Sequence, residues 1–379
     1  MIYVHIPFCR SFCSYCNFYS TTNTREIPVI LASIQREWER EQNSWITIWR
    51  SGQFPLRHTI YLGGGTPSVC SVRQLHPLLD MLTTDMKKAE MEPSEVTVEV
   101  NPGDITTDYC TALLDSGVNR LSIGIQSFDD DHLKAMRRRH MGHTAIRSFQ
   151  DARMAGFRNI SIDLLFGFPG LSISKWEETL YQTINLGPEH ISAYQLSLEP
   201  SSPWGRKGIL PPQEECARQY ALLQAILQKA GYIQYEVSSF SLPGRESQHN
   251  SGYWLRIPYL GLGPAAHSFD GRNRYANVAH LERYIEGIRN DKPVRTYDRL
   301  KARDVHNEYI MLQLRTVQGL SLSRIEEHEG PLAVEHLLKR TAPLLERGLL
   351  IKKNDRIYIP ADHLFISDNI IRDCLLPPQ

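Results

Sequence analysis

His5-Ile-Pro-Phe-Cys9-Arg-Ser-Phe-Cys13-Ser-Tyr-Cys16-Asn-Phe18 stands near the head of the chain, and its cysteines are spaced C-x3-C-x2-C. A closed four-iron cluster takes four cysteine thiolates. Three thiolates in so short a loop leave one iron without a protein ligand, and that iron is where chemistry can happen. The amino and carboxylate groups of S-adenosylmethionine can chelate it, and an electron from the cluster can then cleave the sulfonium, hard chemistry that the cofactor carries. The competing reading is a zinc site, but zinc wants four ligands, commonly as C-x2-C pairs or with a histidine nearby. His5 is the nearby histidine, and it sits inside an apolar stretch, residues 2–8, that reads as a strand.

Working outward, Thr59-Ile-Tyr-Leu-Gly63-Gly64-Gly65-Thr66-Pro67 is an apolar strand running into a glycine loop. Without Cβ atoms, glycines let a backbone approach a ligand closely and present its amide and carbonyl groups. A triple glycine alone is a tight turn; behind a three-cysteine loop it resembles the radical S-adenosylmethionine superfamily. In that superfamily the glycine loop holds the cofactor's amino group.

Short runs rich in β-branched and aromatic residues alternate with longer helical patterns. Strands are predicted over residues 1–7, 59–63, 95–101, 120–126, 159–166 and 190–198. Helices are predicted over 28–44, 72–86, 107–116, 130–137, 144–155 and 174–186. Such alternation implies right-handed parallel crossovers. The expected fold is α/β: a partial (β/α)6 barrel over residues 1–200, an extension over 201–295, and a small winged-helix-like α+β domain over 296–379. An open doubly wound sheet is the alternative. In the last segment, helical patterns over 304–317, 321–329 and 334–347 precede a hairpin turning at Asn354-Asp355. Glu335 and Glu346 dilute Lys339, Arg340 and Arg347 on its third helix, so docking or lid duty is expected there rather than nucleic-acid binding.

The 42 basic and 42 acidic residues of this 379-residue chain cancel, so no net field argues for nucleic acid or an anionic membrane. No signal peptide and no run of 18 apolar residues is visible, which leads to the expectation of a soluble, cytoplasmic protein. Cys70, Cys110, Cys216 and Cys374 lack paired spacing and read as thiols of a reducing compartment.

Function in such barrels sits at the C-terminal strand ends. Glu99, Gln126 and Asp163 each fall late in an apolar strand, and together they predict a polar pocket. Carboxylates accept from ribose hydroxyls or an amino group, and Gln126 can donate and accept. Arg138 could pair with the cofactor carboxylate, although three consecutive arginines at a helix end also suit a solvated face.

His5-Ile-Pro-Phe-Cys9, Gly63-Gly-Gly-Thr-Pro, Gly124-Ile-Gln-Ser-Phe and Asp163-Leu-Leu-Phe-Gly-Phe-Pro are, more narrowly, similar to the oxygen-independent coproporphyrinogen oxidase group, from Met1 to about Cys374. The resemblance implies that Tyr3, Gly64, Gly65, Thr66, Glu99, Gln126, Arg138 and Asp163 line the S-adenosylmethionine site. By register, Tyr15, Ser197 and His267 would supply further contacts. Gly261 and Gly263 read as a close backbone approach near the cluster. The oxidases carry another cysteine two places after the third, where this chain has Phe18, and a substantial extension before the first strand, which here begins at Met1. Both departures match the heme chaperones of that group, as does His249-Asn250-Ser251-Gly252-Tyr253-Trp254, which fits their H-N-x-x-Y-W signature.

A neutral imidazole can ligate heme iron and aromatic rings can pack on a macrocycle, so His249, Asn250, Tyr253 and Trp254 are the expected heme contacts. Alternatively His249 and Asn250 hold a loop while Tyr253 and Trp254 are core. The resemblance thus implies a protein carrying a 4Fe-4S cluster, S-adenosylmethionine and heme, receiving electrons from a donor and passing heme to an acceptor protein. Homodimer formation is among the roles open to the cluster. The rival reading is an enzyme, coproporphyrinogen III dehydrogenase or another radical enzyme acting on a porphyrin; no catalytic residue is assigned.

Overall fold

The computed structural model describes residues 1–51, 57–197, 199–200, 202–208 and 213–377; residue 198, the end of the sixth predicted strand, and residue 201, where the extension was expected to begin, lie outside them. Six parallel strands, β1 (Ile2–Ile6), β2 (Thr59–Gly64), β3 (Glu95–Val100), β4 (Arg120–Gln126), β5 (Ile160–Phe166) and β6 (His190–Gln195), lie side by side in chain order. Between them run α1 (Ile27–Arg50), α2 (Val72–Lys88), α3 (Thr107–Asp115), α4 (Asp130–Ala135), α5 (Gly142–Ala155) and α6 (Ile173–Leu186). This is the expected partial (β/α)6 barrel.

Successive side chains of a strand point to opposite faces. In β3, Val96, Val98 and Val100 are buried in the hydrophobic core, and in β4 Leu121, Ile123 and Ile125 are. The alternate residues Glu95, Thr97 and Glu99, then Arg120, Ser122 and Gly124, form the other face. Strand registers align these polar positions, with Glu99 beside Ser122, Gly124 beside Asp163 and Asp163 beside Ser192. The apolar half of each strand therefore holds the helices, and the polar half builds an interior.

After α7 (Gln213–Lys229), the short strands β7 (Ile233–Gln234) and β8 (Ser239–Ser241) add antiparallel beyond β6. Then α8 (Gln248–Trp254) precedes β9 (Leu260–Leu262), which pairs parallel with β1. The nine-stranded sheet ends at β7 and β9 and does not close on itself. An antiparallel sheet of β10 (His267–Phe269), β11 (Asn273–Asn277) and β12 (Arg295–Arg299) follows, with α9 (Leu281–Arg289) before its last strand.

The C-terminal part is α10 (Ala302–Leu314), β13 (Leu320–Ser321), α11 (Leu322–Glu329), α12 (Pro331–Glu346), β14 (Ile351–Lys353), β15 (Arg356–Tyr358) and α13 (Ser367–Cys374). Its hairpin turns where expected, with Asn354 at φ 53°. Helix α1 outruns its predicted end because Trp45 and Trp49, beyond the polar Asn43-Ser44, are buried against the core. Gly261 and Gly263 also differ from expectation. A Cβ on Gly263 would lie 2.5 Å from the His5 carbonyl oxygen, and one on Gly261 would run into the His267 carbonyl, so the close approaches are to β1 and to the start of β10, and neither glycine borders the cysteine cavity.

Candidate cofactor site

The cysteine loop is pinned on both sides. Cys9 N–H donates to Thr21 O (2.9 Å), Ser14 N–H to Met136 O (3.0 Å), and Trp204 N–H to Ser14 O (3.0 Å). The glycine loop stitches onto the same segment: Gly65 N–H donates to Ile6 O (2.9 Å) and Thr66 N–H to Phe8 O (2.8 Å). That places Thr66 Oγ1 3.6 Å from Cys9 Sγ. A Cβ on Gly65 would meet three backbone atoms of Ile6 and Phe8 at 2.8 Å, so this position excludes a side chain. Gly64 stands at φ +103°, and a Cβ there would sit 2.5 Å from His5 Nδ1. Gly64→Ala is therefore expected to destabilise the fold by roughly 2–4 kcal/mol, left-handed strain plus overpacking, read as a lower urea midpoint with unchanged m.

Cys9, Cys13 and Cys16 are free, half-buried thiols at one cavity of about 780 Å³. Among the described residues no group of three or more His, Cys, Asp or Glu side chains is arranged to hold a single metal ion. His5 does not complete a zinc set, because its Nε2 is 2.9 Å from Tyr19 O and its Nδ1 3.2 Å from Tyr3 Oη. Three separated sulfurs around one mouth suit a larger body such as a four-iron cluster. Arg138 reaches them, donating from Nη1 to Cys13 Sγ (3.7 Å) and from Nη2 to Gly124 O, while its Nε is buried without a partner. A buried cation with an unused donor beside the thiols suits an anionic guest, so Arg138 is no solvated surface group.

Behind the thiols lies the polar interior. Tyr61 Oη donates to Glu99 Oε1 (2.8 Å) and Gly64 N–H to Oε2 (3.2 Å). Burial, with Asp163 adding its repulsion, pushes the Glu99 carboxyl up to about 7 against these hydrogen bonds. Ser122 Oγ lies 3.1 and 3.0 Å from the Asp163 carboxylate oxygens, and burial pushes Asp163 up to about 6 against that contact. Gln126 also borders the cavity, at φ +69° where β4 slips register against β5. Bulges beside active sites re-aim a side chain in this way.

Of the expected cofactor residues, Tyr15, Gly64, Gly65, Thr66, Glu99, Gln126, Arg138, Asp163 and Ser197 meet at this cavity. Tyr3 stands behind it against Tyr61, ring centres 6.3 Å apart, and His267 is an exposed residue at the start of β10. Tyr61, Arg120, Ser122, Ser192 and Tyr194 also line the cavity and escaped the reading from sequence, although the two-residue alternation of β2, β4 and β6 carries them.

The H-N-x-x-Y-W residues divide. Asn250 borders the cysteine-lined cavity, but His249 is 1% exposed with both nitrogens engaged. Its Nδ1 is 2.7 Å from Thr59 Oγ1 and its Nε2 2.9 Å from Tyr253 Oη, and its ring stacks on Tyr61 with centroids 5.1 Å apart. Burial holds its pKa well below the usual histidine value. Neither nitrogen is open to an iron, so in this geometry His249 is a lock between α8 and β2 rather than the expected ligand. Tyr253 packs with it, ring centroids 5.0 Å apart, and Trp254 faces a different cavity.

This barrel and thiol-rimmed cavity define a radical S-adenosylmethionine protein, and the model of the radical SAM superfamily matches residues 3–181. The HemN C-terminal domain model matches residues 300–361. The chain is 35% identical to the heme chaperone HemW of Bacillus subtilis, over 94% of each chain, and 32% identical to that of Lactococcus lactis, over 99% of this chain and 97% of the other. It belongs to the HemW family. Its fold matches the solved coproporphyrinogen III oxidase HemN of Escherichia coli with a TM-score of 0.82 at 23% identity, covering 98% of this chain and 89% of that one.

Proposed function

We propose that this chain binds heme and transfers it to an acceptor protein, while carrying a 4Fe-4S cluster on Cys9, Cys13 and Cys16 and S-adenosylmethionine in the adjoining cavity. The observation that carries the reading is the near full-length similarity to proteins named heme chaperone HemW. Phe18, standing where the oxidases have a further cysteine, supports it. When bound, the cluster and its ligand would supply one-electron chemistry. The chain's own part is to hold the cofactor: Arg138 for a carboxylate, Glu99 and Asp163 for hydroxyl or ammonium groups, Gln126 for either kind of partner.

Residues 1–200 would form the cofactor barrel, 201–295 the extension with the heme motif, and 296–379 a docking or lid domain. Among the described residues no helix is long and apolar enough to cross a membrane. A cytoplasmic protein, with an electron donor, a heme acceptor and a homodimer as partners, completes the proposal.

The second reading, coproporphyrinogen III dehydrogenase, rests on the HemN-like fold and the polar, carboxylate-bearing cavity. Anaerobic titration of the reconstituted protein with heme separates the two. Stoichiometric binding followed by transfer to apo-acceptors in a membrane extract is the expected result. Absence of heme binding, with turnover of coproporphyrinogen in the same preparation, would replace the chaperone by the enzyme.

A further inference from the structure

The N-terminal ends of the barrel strands carry a second cavity, of about 650 Å³, on the opposite face of the barrel from the thiols. Arg57 comes just before β2, Arg158 just before β5, and Arg245 just before α8; all three border this cavity. None of their side chains has a hydrogen bond or ion pair among the described residues. Glu95 also lines the space, but its carboxylate is already used: it accepts from Gln248 N–H (2.8 Å), His249 N–H (3.1 Å) and Ser247 Oγ (3.4 Å) at the start of α8. Among the described residues Glu246 is the other acid on the rim, so three arginines share the cavity lining with two carboxylates, of which one is spent.

Two further atoms are unsatisfied there. Trp254 Nε1 and Asn159 Oδ1 are both buried without a partner, and both residues line this cavity. Orphaned buried polar atoms are uncommon and call for a partner. Leu255, Ile233 and Val317 supply apolar wall, the last from the segment after α10. The lock around His249 thus has a purpose: with its ring fixed to Thr59, α8 presents Gln248, Ser251 and Trp254 to this lower cavity and Asn250 to the upper one.

We propose that this basal cavity is the seat of a flat, apolar dicarboxylate, and specifically of heme held through its two propionates by Arg57, Arg158 and Arg245 with the ring plane against Trp254. The proposal rests on the heme reading given above. Its volume lies in the range of small-molecule sites. Guanidinium groups bind carboxylates through paired, charge-assisted hydrogen bonds. An indole offers a large flat contact with a donor at its edge. Among the described residues no histidine, cysteine or methionine borders the cavity, and the tyrosine that does, Tyr235, has its hydroxyl 2.7 Å from His190 Nε2. Recognition at this site is therefore of the porphyrin and its carboxylates, not of the iron.

The test is anaerobic titration of the full-length, cluster-reconstituted protein with three probes: hemin, metal-free protoporphyrin IX and its dimethyl ester. Hemin and protoporphyrin should bind within about threefold of one another, and the ester at least about tenfold more weakly, the scale of one or two lost charge-assisted hydrogen bonds. The triple variant Arg57→Gln, Arg158→Gln, Arg245→Gln should weaken both acids by at least about tenfold while keeping cluster absorption and S-adenosylmethionine affinity. An ester that binds as tightly as the acid overturns the proposal without reference to any variant. So does a triple variant with wild-type affinity, or hemin binding without protoporphyrin binding, which would assign affinity to the iron. A wild-type protein with intact cluster and cofactor affinity that binds none of the three fails the heme reading itself.

Discussion

Cys13→Ser is expected to leave the anaerobically reconstituted chain without its four-iron absorption and with iron content reduced from about four per chain to near none. The three thiols surround one cavity mouth and Arg138 Nη1 is placed to support the middle one at 3.7 Å. A serine hydroxyl stays protonated where a thiolate is needed, and two remaining thiolates do not hold a cluster. Because Cys13 is only half-buried, the fold should lose no more than about 1 kcal/mol, so the effect is on the metal and not on the chain. Cys110→Ser is the matched control. Cys110 is fully buried in the hydrophobic core, so that variant should cost stability while keeping its iron. Iron analysis and absorption of both variants, with circular dichroism for folding, decide the matter. Full iron in Cys13→Ser would remove the cysteine loop from the cofactor site.

Why most residues expected at the upper cavity could be picked from the chain while the lower cavity could not follows from where each gets its partners. Cys9, Cys13 and Cys16 are close in sequence, and Gly64, Gly65 and Thr66 form one continuous loop after an apolar strand. Glu99, Gln126 and Asp163 announce themselves as polar residues late in strands whose other face is Val and Ile. The barrel was legible for the same reason, since each strand and its helix has its own local pattern. Helix α8 has only seven residues, too few to show a period. Its N-terminus is satisfied by Glu95, more than 150 residues earlier, a contact that no local pattern encodes. His249 looked like a ligand because Thr59 and Tyr61, which hold its ring, lie about 190 residues away in the chain. Strand β9 is likewise short and glycine-bearing; its place beside β1 depends on a backbone fit at Gly263, while Gly261 makes room for the His267 backbone.

Glu99 carries the other large expectation, a pH dependence whose sign follows from burial. Its carboxyl is raised from the ordinary 4.5 to about 7, so the folded chain keeps a proton that the unfolded chain releases near 4.5. The folded state then binds more protons across that interval, and the slope of unfolding free energy with pH is negative. The stability associated with Glu99 is fully present below pH 4.5 and is lost as pH rises through 7, a change of about 3 kcal/mol over the window. Glu99→Gln does not titrate. It also loses an acceptor for Gly64 N–H, so it starts with a fixed deficit that the pH dependence of the difference separates out. Urea denaturation at pH 5 and pH 8 should show wild type losing ground to the variant by about that amount; parallel behaviour at the two pH values would contradict the burial argument. Asp163, raised to about 6, adds the same sign in both proteins. Ligand affinity should run the opposite way. If the ionised Glu99 carboxylate receives an ammonium or hydroxyl of S-adenosylmethionine, its affinity rises from pH 6 to pH 8 in the wild type and stays flatter in Glu99→Gln. The conflict has a physical meaning: the fold tolerates an acid that burial keeps protonated, and a cation bound in that cavity would make its ionised form worth having.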